Sequence, residues 1–465
     1  MLLNPRTHLL GAVVVLSLFV PSGWSQDRTL LARAESSNTT VEPPVSAPIL
    51  TSVLPNYYDP QDGVPVRELI DLALKTNQDL SAWRLEIDRA KARLQQARLR
   101  PNPTLEFEQQ SGRLVGDGGD GQISIGASLP IEVFGRRQSR IDVAQIGIEA
   151  SEAEVRNRER LLVANILTNY AEALAALREL DATEKLLELD LQTTRFVQIR
   201  VNEGESAPLE LSLLRAEVER LRSRRQLAEG RLESSITHLK LLSGIPFENS
   251  LKLREQLTTA VMPSLPQTRE SAVEIALRTR PDVRLAQIEE QVASAGLRLV
   301  RAQSKPDVTL YTRYSFGRSN YEAPVPFSQR DRDLAFGVAI GLPIFNKNQG
   351  AKAEAEIAIR QAVQRREFAQ RVVRGEVIAA YQRYEAASRA VATLENTAIP
   401  TSTQNVETFR QVYEIGDIKI TELIAEQRRL LDAIRDLTEA LTQRYKARVD
   451  LSIALGGNGF LPDSK

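Results

Sequence analysis

The chain contains no cysteine and only two histidines, His8 and His238, among its 465 residues. Without cysteine there can be no disulfide bond, no thiolate metal ligand, no cysteine nucleophile and no acylation at an N-terminal cysteine. Most transition-metal sites are built from imidazole or thiolate ligands, so the composition argues against a resident site of that kind. We therefore expect neither a metal ion nor another cofactor.

An excess of either charge is also missing, since Lys+Arg and Asp+Glu both number 60. Bulk charge thus gives no argument for binding nucleic acid or an anionic membrane surface. The sequence has no glycine-rich phosphate loop and no Ser/His/Asp set beyond chance, which makes an enzyme the weakest hypothesis. We predict no catalytic residue and no nucleic-acid partner.

Long apolar runs are missing after residue 25. No later run approaches the ~20 residues of a transmembrane helix, so any membrane-embedded part would have to consist of strands. Residues 1–25 have the pattern of a secretory signal peptide, with Arg6 before the apolar run Leu9–Val20 and small residues at Gly23 and Ser25. A retained N-terminal anchor is the alternative.

The rest of the chain repeats itself. Four short motifs recur about 210 residues further on, a distance far beyond the ~20–50-residue unit of a solenoid. We predict two related halves, 63–264 and 265–456, after a flexible leader at 26–62 and before a polar tail at 457–465. The matching motifs are Arg100–Leu105 with Lys305–Leu310, Leu129–Ile131 with Leu342–Ile344, Asn202–Gly204 with Glu414–Gly416, and Leu242–Gly244 with Ala454–Gly456.

Each half has the pattern of a helix, two strands and two long helices. Apolar and small or polar residues alternate with a period of two at Ile123–Val133 and Leu334–Ile344, which predicts strands. A proline-free helix from Arg136 to about Val201 would be roughly 100 Å long, and its heptad spacing predicts a left-handed coiled coil. The matching helix, Ala351–Tyr413, contains Pro400, where we expect a local bend.

Four strands of membrane-spanning length cannot close a barrel, because the smallest transmembrane barrels have about eight strands. An open sheet edge in lipid is excluded by its unpaired backbone groups. Three chains sharing one barrel would supply twelve strands. The fold class is then mostly α with a small β part: duplicated coiled-coil hairpins and four membrane strands, assembled as a trimeric 12-stranded β-barrel on an α-helical tunnel. A small soluble sheet packed against the helices is the alternative.

With these features the chain resembles the TolC family of outer-membrane efflux proteins over about residues 63–456. The resemblance rests on the duplicated layout, the Arg100–Leu105 junction, the strand-end prolines Pro130 and Pro343, and hairpin tips with a Gly-x5-Glu-Leu motif. It implies a passive exit duct without enzymatic activity, in the outer membrane of a Gram-negative-type cell, with a large periplasmic extension. It also implies a homotrimer surrounded by outer-membrane lipid, a periplasmic adaptor and a proton-driven inner-membrane pump as partners.

The cargo is less well defined. The stretch Leu129–Ile141 looks most like the CzcC branch of the family, which exports heavy metals. Multidrug efflux and type I polypeptide secretion stay open, and a periplasmic coiled-coil adaptor or a scaffold are outside alternatives. Arg136, Arg137 and Arg140 follow the second strand and are interpreted as the solvated start of a helix. A position near the base of the barrel is the alternative.

The resemblance also implies a gate at the hairpin tips. Glu210 follows the first tip glycine, Gly204, and Glu422 follows the second, Gly416. Acidic residues at matching positions of the family narrow the closed mouth, where like charges repel one another and attract cations. Lys419 is a candidate salt-bridge partner in the closed state, and the glycines permit tight turns. Alternatively, both glutamates only favour the N-terminal ends of their helices.

Overall fold

A computed structural model describes residues 52–111, 121–258, 266, 268–321, 324–325 and 327–457. The predicted signal peptide, most of the predicted leader and nearly all of the predicted tail lie outside these ranges.

The elements follow the same order in each half. The first half contains α1 (Val66–Thr76), α2 (Gln78–Arg98), β1 (Thr104–Ser111), β2 (Gly121–Ile131), α3 (Arg136–Asn202) and α4 (Pro208–Ser243). The second half contains α5 (Arg269–Thr279), α6 (Pro281–Gln303), β3 (Asp307–Tyr321), β4 (Phe327–Gly341), α7 (Gln349–Thr393), α8 (Ile399–Glu414) and α9 (Ile420–Ala454). The helix boundaries predicted from the sequence are close to these, apart from the division of the second long helix.

The helix α3 runs without interruption for 67 residues, which is about 100 Å at 1.5 Å per residue. It packs along α4 and α9 through the heptad residues that the sequence indicated. On α3 the buried members include Ile166, Ala173, Leu180 and Leu187, and on α4 they include Leu211, Val218, Leu232 and Leu239. The coiled-coil prediction is therefore confirmed in one respect: these heptad residues of α3 and α4 are buried.

The second long helix is divided by a π-helical turn, Leu394–Ala398, between α7 and α8. Pro400 follows two residues later and lies in the first turn of α8. Its ring excludes an ordinary α-helical carbonyl at position 396, and it has no N–H to donate to that carbonyl. The wider π turn accommodates both effects, so the predicted disturbance at the proline is present and lies just before it.

The four strands form one antiparallel sheet in the order β1-β2-β3-β4. The last strand is longer at its helix-distal end than the alternation at Leu334–Ile344 predicted, since β4 begins at Phe327, paired with the end of β3 at Tyr321. The additional part of β4 includes Arg330–Asp333, where two arginines and two aspartates alternate. Apolar and polar residues do not alternate in such a charged segment. The strand was therefore predicted to begin at Leu334, later than its observed start at Phe327.

The two faces of the sheet differ in chemistry. On one face the apolar side chains are exposed, among them Leu105, Phe107, Ile125, Leu310, Leu334, Phe336 and Val338. The other face carries Glu106, Glu108, Gln122, Ser124, Arg313 and Ser315. Arg313 lies 4.0 Å from Glu106 and 3.8 Å from Glu108, so this face is polar and ionised.

The largest hydrophobic core lies where helices of both halves meet. Tyr170 of α3 is fully buried there, among side chains of α1, α4 and α9 that include Ile70, Leu239 and Leu441. The two halves therefore fold against each other and do not form separate domains. No helix among the described residues is both long and apolar enough to cross a membrane.

Candidate gate at the hairpin tips

Each pair of long helices ends in a tight turn built on a glycine. Gly204 has φ +80° and Gly416 has φ +90°, a conformation that strains any residue with a Cβ atom. The Gly204 N–H donates to the Val201 carbonyl at 3.1 Å, and the Gly416 N–H donates to the Tyr413 carbonyl at 3.0 Å. No atom of the described residues lies within 4 Å of a Cβ placed on either glycine, so glycine is required here by the backbone conformation and not by steric crowding.

A hydrogen bond joins the tips of the two halves. The Tyr413 hydroxyl at the end of α8 donates to Glu210 Oε2 in the first turn of α4, at 3.2 Å. Tyr413 is only 3% exposed and packs with Val197, Leu214 and Leu423. The pKa of Tyr413 is raised to about 12, chiefly by burial and also by the charge of Glu210 and the hydrogen bond to it. The phenol therefore stays protonated and remains a hydrogen-bond donor.

The other two candidate gate residues do not join this contact within one chain. Glu422 lies exposed in the first turn of α9, and Lys419 lies exposed at the N-cap of the same helix. Within the described part of the chain, neither side chain forms a hydrogen bond or an ion pair. Both Glu210 and Glu422 occupy first helical turns, where a carboxylate also favours the helix dipole.

Tyr413 was missed by the sequence analysis, which considered only charged residues at the tips. The matching position of the first half is Val201, so the repeat itself gave a signal. An aromatic residue with a hydroxyl group replaces an aliphatic one at a single tip, opposite a carboxylate from the other half.

A buried polar cluster lies further from the tips, where α3, α4 and α9 meet. Asp190 is 1% exposed, and among the described residues neither of its carboxylate oxygens has a hydrogen-bond partner within 3.5 Å. Burial, together with the nearby charge of Glu217, raises the pKa of Asp190 to about 7, although Gln427, Arg220 and Arg428 oppose the shift. A carboxyl group that titrates near neutrality is therefore buried between α3, α4 and α9.

The neighbouring Glu217 behaves differently, because its charge is compensated. Burial alone would raise its pKa, but hydrogen bonds from Arg220 and Arg428 outweigh that effect, and the pKa of Glu217 lies below its usual value. Arg428 Nη2 approaches Glu217 Oε2 at 2.6 Å, across from α9 to α4. A sequence signal existed for this cluster, because Asp190 and Glu217 interrupt otherwise apolar helix faces.

The arginines at the start of α3 are not a solvated helix start, and that interpretation was wrong. Arg136 donates to the Ala302 carbonyl at 3.1 Å and the Pro306 carbonyl at 3.3 Å, and it also pairs with Asp307. The last carbonyls of α6 lack intrahelical donors, and the guanidinium adds hydrogen bonds at this helix end to those that the Ala302 carbonyl accepts from the backbone N–H groups of Ser304 and Lys305. This side chain fixes the end of α6 to the start of β3.

Arg137 and Arg140 perform the same task for α2. Arg137 Nε donates to the Arg98 carbonyl at 2.9 Å, and Arg140 Nε donates to the Ala97 carbonyl at 3.1 Å. Arg140 also forms an ion pair with Glu132, and its hydrogen bond lowers the pKa of that carboxyl group. One turn of α3 therefore holds both helices that lead into the sheet.

A resident metal site is not found in the part of the chain that the structure describes, since no three His, Cys, Asp or Glu side chains are grouped to hold an ion. A sheet with one exposed apolar face, joined twice to a long helical hairpin, defines the architecture of an outer-membrane efflux channel. The sequence profile described as "Outer membrane efflux protein" matches residues 69–244 and 272–457. The chain belongs to this family.

Two relatives and one solved structure show how far the similarity extends. The chain is 26% identical over 413 residues to the cobalt-zinc-cadmium resistance protein CzcC of Cupriavidus metallidurans, covering 87% of this chain and 93% of that protein. It is also 26% identical over 413 residues to the cation efflux system protein CusC of Escherichia coli K12, covering 84% and 86%. A crystal structure of CusC matches 88% of this chain and 95% of that chain with a TM-score of 0.71 and 23% identity, a similarity of fold.

Proposed function

We propose that the protein is the exit duct of a tripartite efflux system, which passively conducts cargo from an inner-membrane pump and a periplasmic adaptor to the exterior. The observation that carries this proposal is the sheet, whose apolar side chains are exposed on one face while the other face is polar. Such alternation fits lipid outside and water inside. The long helical hairpins then extend from the membrane across the periplasm.

The edges of the sheet support a trimer. Within the described chain, β1 and β4 each pair on one side only, and unpaired backbone groups in lipid cost several kcal/mol each. Pairing β1 of one chain with β4 of the next would satisfy them, and three chains would close a barrel of twelve strands. The long helices α3, α4, α7, α8 and α9 of the three chains would form the tunnel.

Two measurements on the purified protein test the duct. We expect a heat-sensitive trimer on gel electrophoresis of the outer-membrane fraction, and stepwise ion conductance when the trimer is added to a planar bilayer. A monomer recovered from the periplasm, with no conductance, would contradict the proposal and would favour the adaptor or scaffold alternatives.

We propose that the cargo is heavy-metal cations. The support is the similarity to CzcC, a cobalt-zinc-cadmium resistance protein, and to CusC, a protein of a cation efflux system. The proposal does not rest on a cation site in this chain. Deletion of the gene should increase sensitivity to divalent metals, with rescue by the wild-type gene. Sensitivity to organic drugs and dyes would instead indicate a multidrug duct. Altered secreted proteins without either phenotype would indicate polypeptide secretion.

We propose that the tips form the periplasmic gate, with Glu210 and Glu422 around the mouth and Lys419 as an ionic partner from a neighbouring chain. The hydrogen bond from Tyr413 to Glu210 supports this role, because it ties together the two tips that would have to separate on opening. Six carboxylates in a trimer would attract cations to a narrow mouth.

The combined change of Glu210→Ala and Glu422→Ala tests the gate. We expect larger single-channel conductance and weaker cation preference in a planar bilayer. A suitable control is Glu219→Ala, an exposed carboxylate on α4 that pairs with Arg222 of the same helix. Conductance and selectivity equal to those of the control would contradict the gate assignment and leave the helix-dipole explanation.

A further inference from the structure

The end of the sheet farthest from the helices carries a cluster of arginines. β3 begins at Asp307 just after α6, and β4 ends at Gly341 shortly before α7. Arg318 of β3 is eleven positions beyond Asp307, which is about 36 Å along the strand at 3.3 Å per residue. In the proposed channel, this end of the sheet faces away from the periplasm.

Three arginines share one face of the sheet at this end. Arg318 is paired directly with Arg330 across the β3–β4 ladder, and Arg332 lies two positions further along β4 on the same face. This is the face that exposes Phe316 and Leu334. All three arginines are exposed. They lie directly beyond the apolar part of this face, at the end farthest from the helices.

Within the ranges that the structure describes, these arginines have no carboxylate as a close counterion. Like charges directly opposite each other across a ladder are destabilising, and Asp331 lies on the opposite face because side chains alternate along β4. Among the described residues, no carboxylate lies within 4.0 Å of the three guanidinium groups. Their contacts are Arg318 Nη2 to Ser328 Oγ at 3.4 Å and Arg332 over the Phe316 ring at 5.8 Å.

The apolar surface below the arginines has the height of a membrane. Along β3 the same face carries Val308, Leu310, Thr312, Tyr314 and Phe316 in succession before Arg318. Strands of ~9–11 residues cross the hydrocarbon layer when tilted. The arginines therefore lie at the level of the lipid headgroups, in the leaflet away from the helices.

We propose that Arg318, Arg330 and Arg332 bind the phosphate groups of an anionic lipid in that leaflet, an inference that rests on the proposed membrane position of the sheet. The planar guanidinium fork binds phosphate oxygens through paired N–H groups. A phosphate between Arg318 and Arg330 would also offset the repulsion between them. The lipid chains would then lie along the apolar face beneath.

The test measures lipid binding to the purified protein with diphosphoryl lipid A as the probe. We expect the triple variant Arg318→Gln, Arg330→Gln, Arg332→Gln to bind about 100-fold more weakly, given the contribution of each arginine near an anionic lipid surface. The charge-matched control changes three exposed residues of α1 and α5: Arg67→Gln, Lys75→Gln and Arg278→Gln. It should bind like the wild type.

Three results would overturn the proposal. The triple variant could bind lipid A as tightly as the wild type does, or the wild type could bind lipid A without phosphates as tightly as diphosphoryl lipid A. The third is displacement of the bound lipid A by inorganic phosphate at the same concentration. If the triple variant does not form trimers, Arg332→Gln alone carries the test, with an expected loss of about fivefold.

Conductance in bilayers of phosphatidylcholine without lipid A separates this proposal from the proposed function. Conducting wild-type protein without selective lipid binding would refute the lipid site and leave the duct intact. Wild-type protein that neither inserts nor conducts would refute the duct, and the lipid site with it.

Discussion

At the scale of single residues, the Tyr413 hydroxyl is the group that joins the two halves of the chain at their tips. It donates to Glu210 from a site that is almost fully enclosed by apolar side chains. A hydrogen bond to a charged acceptor contributes about 1.5–3 kcal/mol. A contact of that size is strong enough to bias a gate and weak enough for a binding partner to break.

The variant Tyr413→Phe should therefore open the tips more readily. The ring remains to fill its site, while Glu210 loses its donor, so we expect more frequent or larger openings in a planar bilayer. Tyr384→Phe, on α7 and far along the chain from the tips, is the matched control. Indistinguishable records from the two variants would show that this hydrogen bond does not hold the gate.

Asp190 is the second residue whose role depends on its surroundings. Its pKa of about 7 in the folded chain is raised above the value of about 3.9 expected in the unfolded chain. The protonated carboxyl is thus the form that the fold prefers. Its contribution to stability is complete below pH 4 and is lost as the pH rises through 7.

We predict that Asp190→Asn stabilises the protein at pH 8 much more than at pH 5. The free energy of unfolding should change by about 2.5–3 kcal/mol between these two pH values, because only the two pH units from 5 up to the folded pKa of about 7 contribute. Thermal unfolding of the detergent-solubilised protein at both pH values measures it. Asp181→Asn, which removes the carboxylate of the ion pair with Lys185 on the same helix, is the control variant. An equal change in stability with pH in the two variants would rule out the buried titration.

At the scale of elements, the tip turns depend on glycine for their backbone geometry. Gly416 ends α8 with φ +90° and directs the chain into α9. An L-residue in the left-handed region costs roughly 1–2 kcal/mol. Since open space surrounds both tip glycines, that cost would not be complicated by a steric clash.

Gly416→Ala should accordingly destabilise the second tip by roughly 1–2 kcal/mol. Gly230→Ala is the control, because Gly230 lies within α4 with nothing near its Cβ position, and there alanine should stabilise the helix by up to about 1 kcal/mol. Hydrogen exchange of the tip amides resolves the two effects. Slower exchange at the tip in Gly416→Ala would contradict the argument.

The elements differ in how well the sequence predicted them. The boundaries of α3 were predicted closely from the sequence, because a long periodic helix depends on many residues that agree. The charged beginning of β4 and the arginine caps of α2 and α6 were not predicted. Their partners are strands or carbonyl groups from elsewhere in the chain, to which no local pattern corresponds.

At the scale of the whole molecule, the two faces of the sheet decide how the protein meets a membrane. Phe336 and Ala335 are neighbours on β4 near the middle of the apolar strip, yet they pair with Thr312 and Arg313 and lie on opposite faces. A lysine on the lipid face near the middle of the membrane costs about 2–4 kcal/mol, whereas the inner face tolerates charge.

We predict that Phe336→Lys strongly reduces the amount of trimer in the outer membrane, while Ala335→Lys leaves it close to wild type. Heat-sensitive mobility of the membrane fraction measures both. If Ala335→Lys were the more damaging change, the assignment of the faces to lipid and water would be reversed. Equal damage by both would indicate a sheet buried on both sides.

The sequence by itself determined the duplication, the long coiled-coil helices, the alternating strands and the glycine turns, because each depends on residues that are close together or regularly spaced. Only the tertiary structure decided that Tyr413 meets Glu210, that Asp190 is enclosed, and that Arg136 and Arg140 hold the ends of other helices. Those contacts join residues tens to hundreds of positions apart. Their chemistry arises from burial and proximity, which spacing along a chain does not specify.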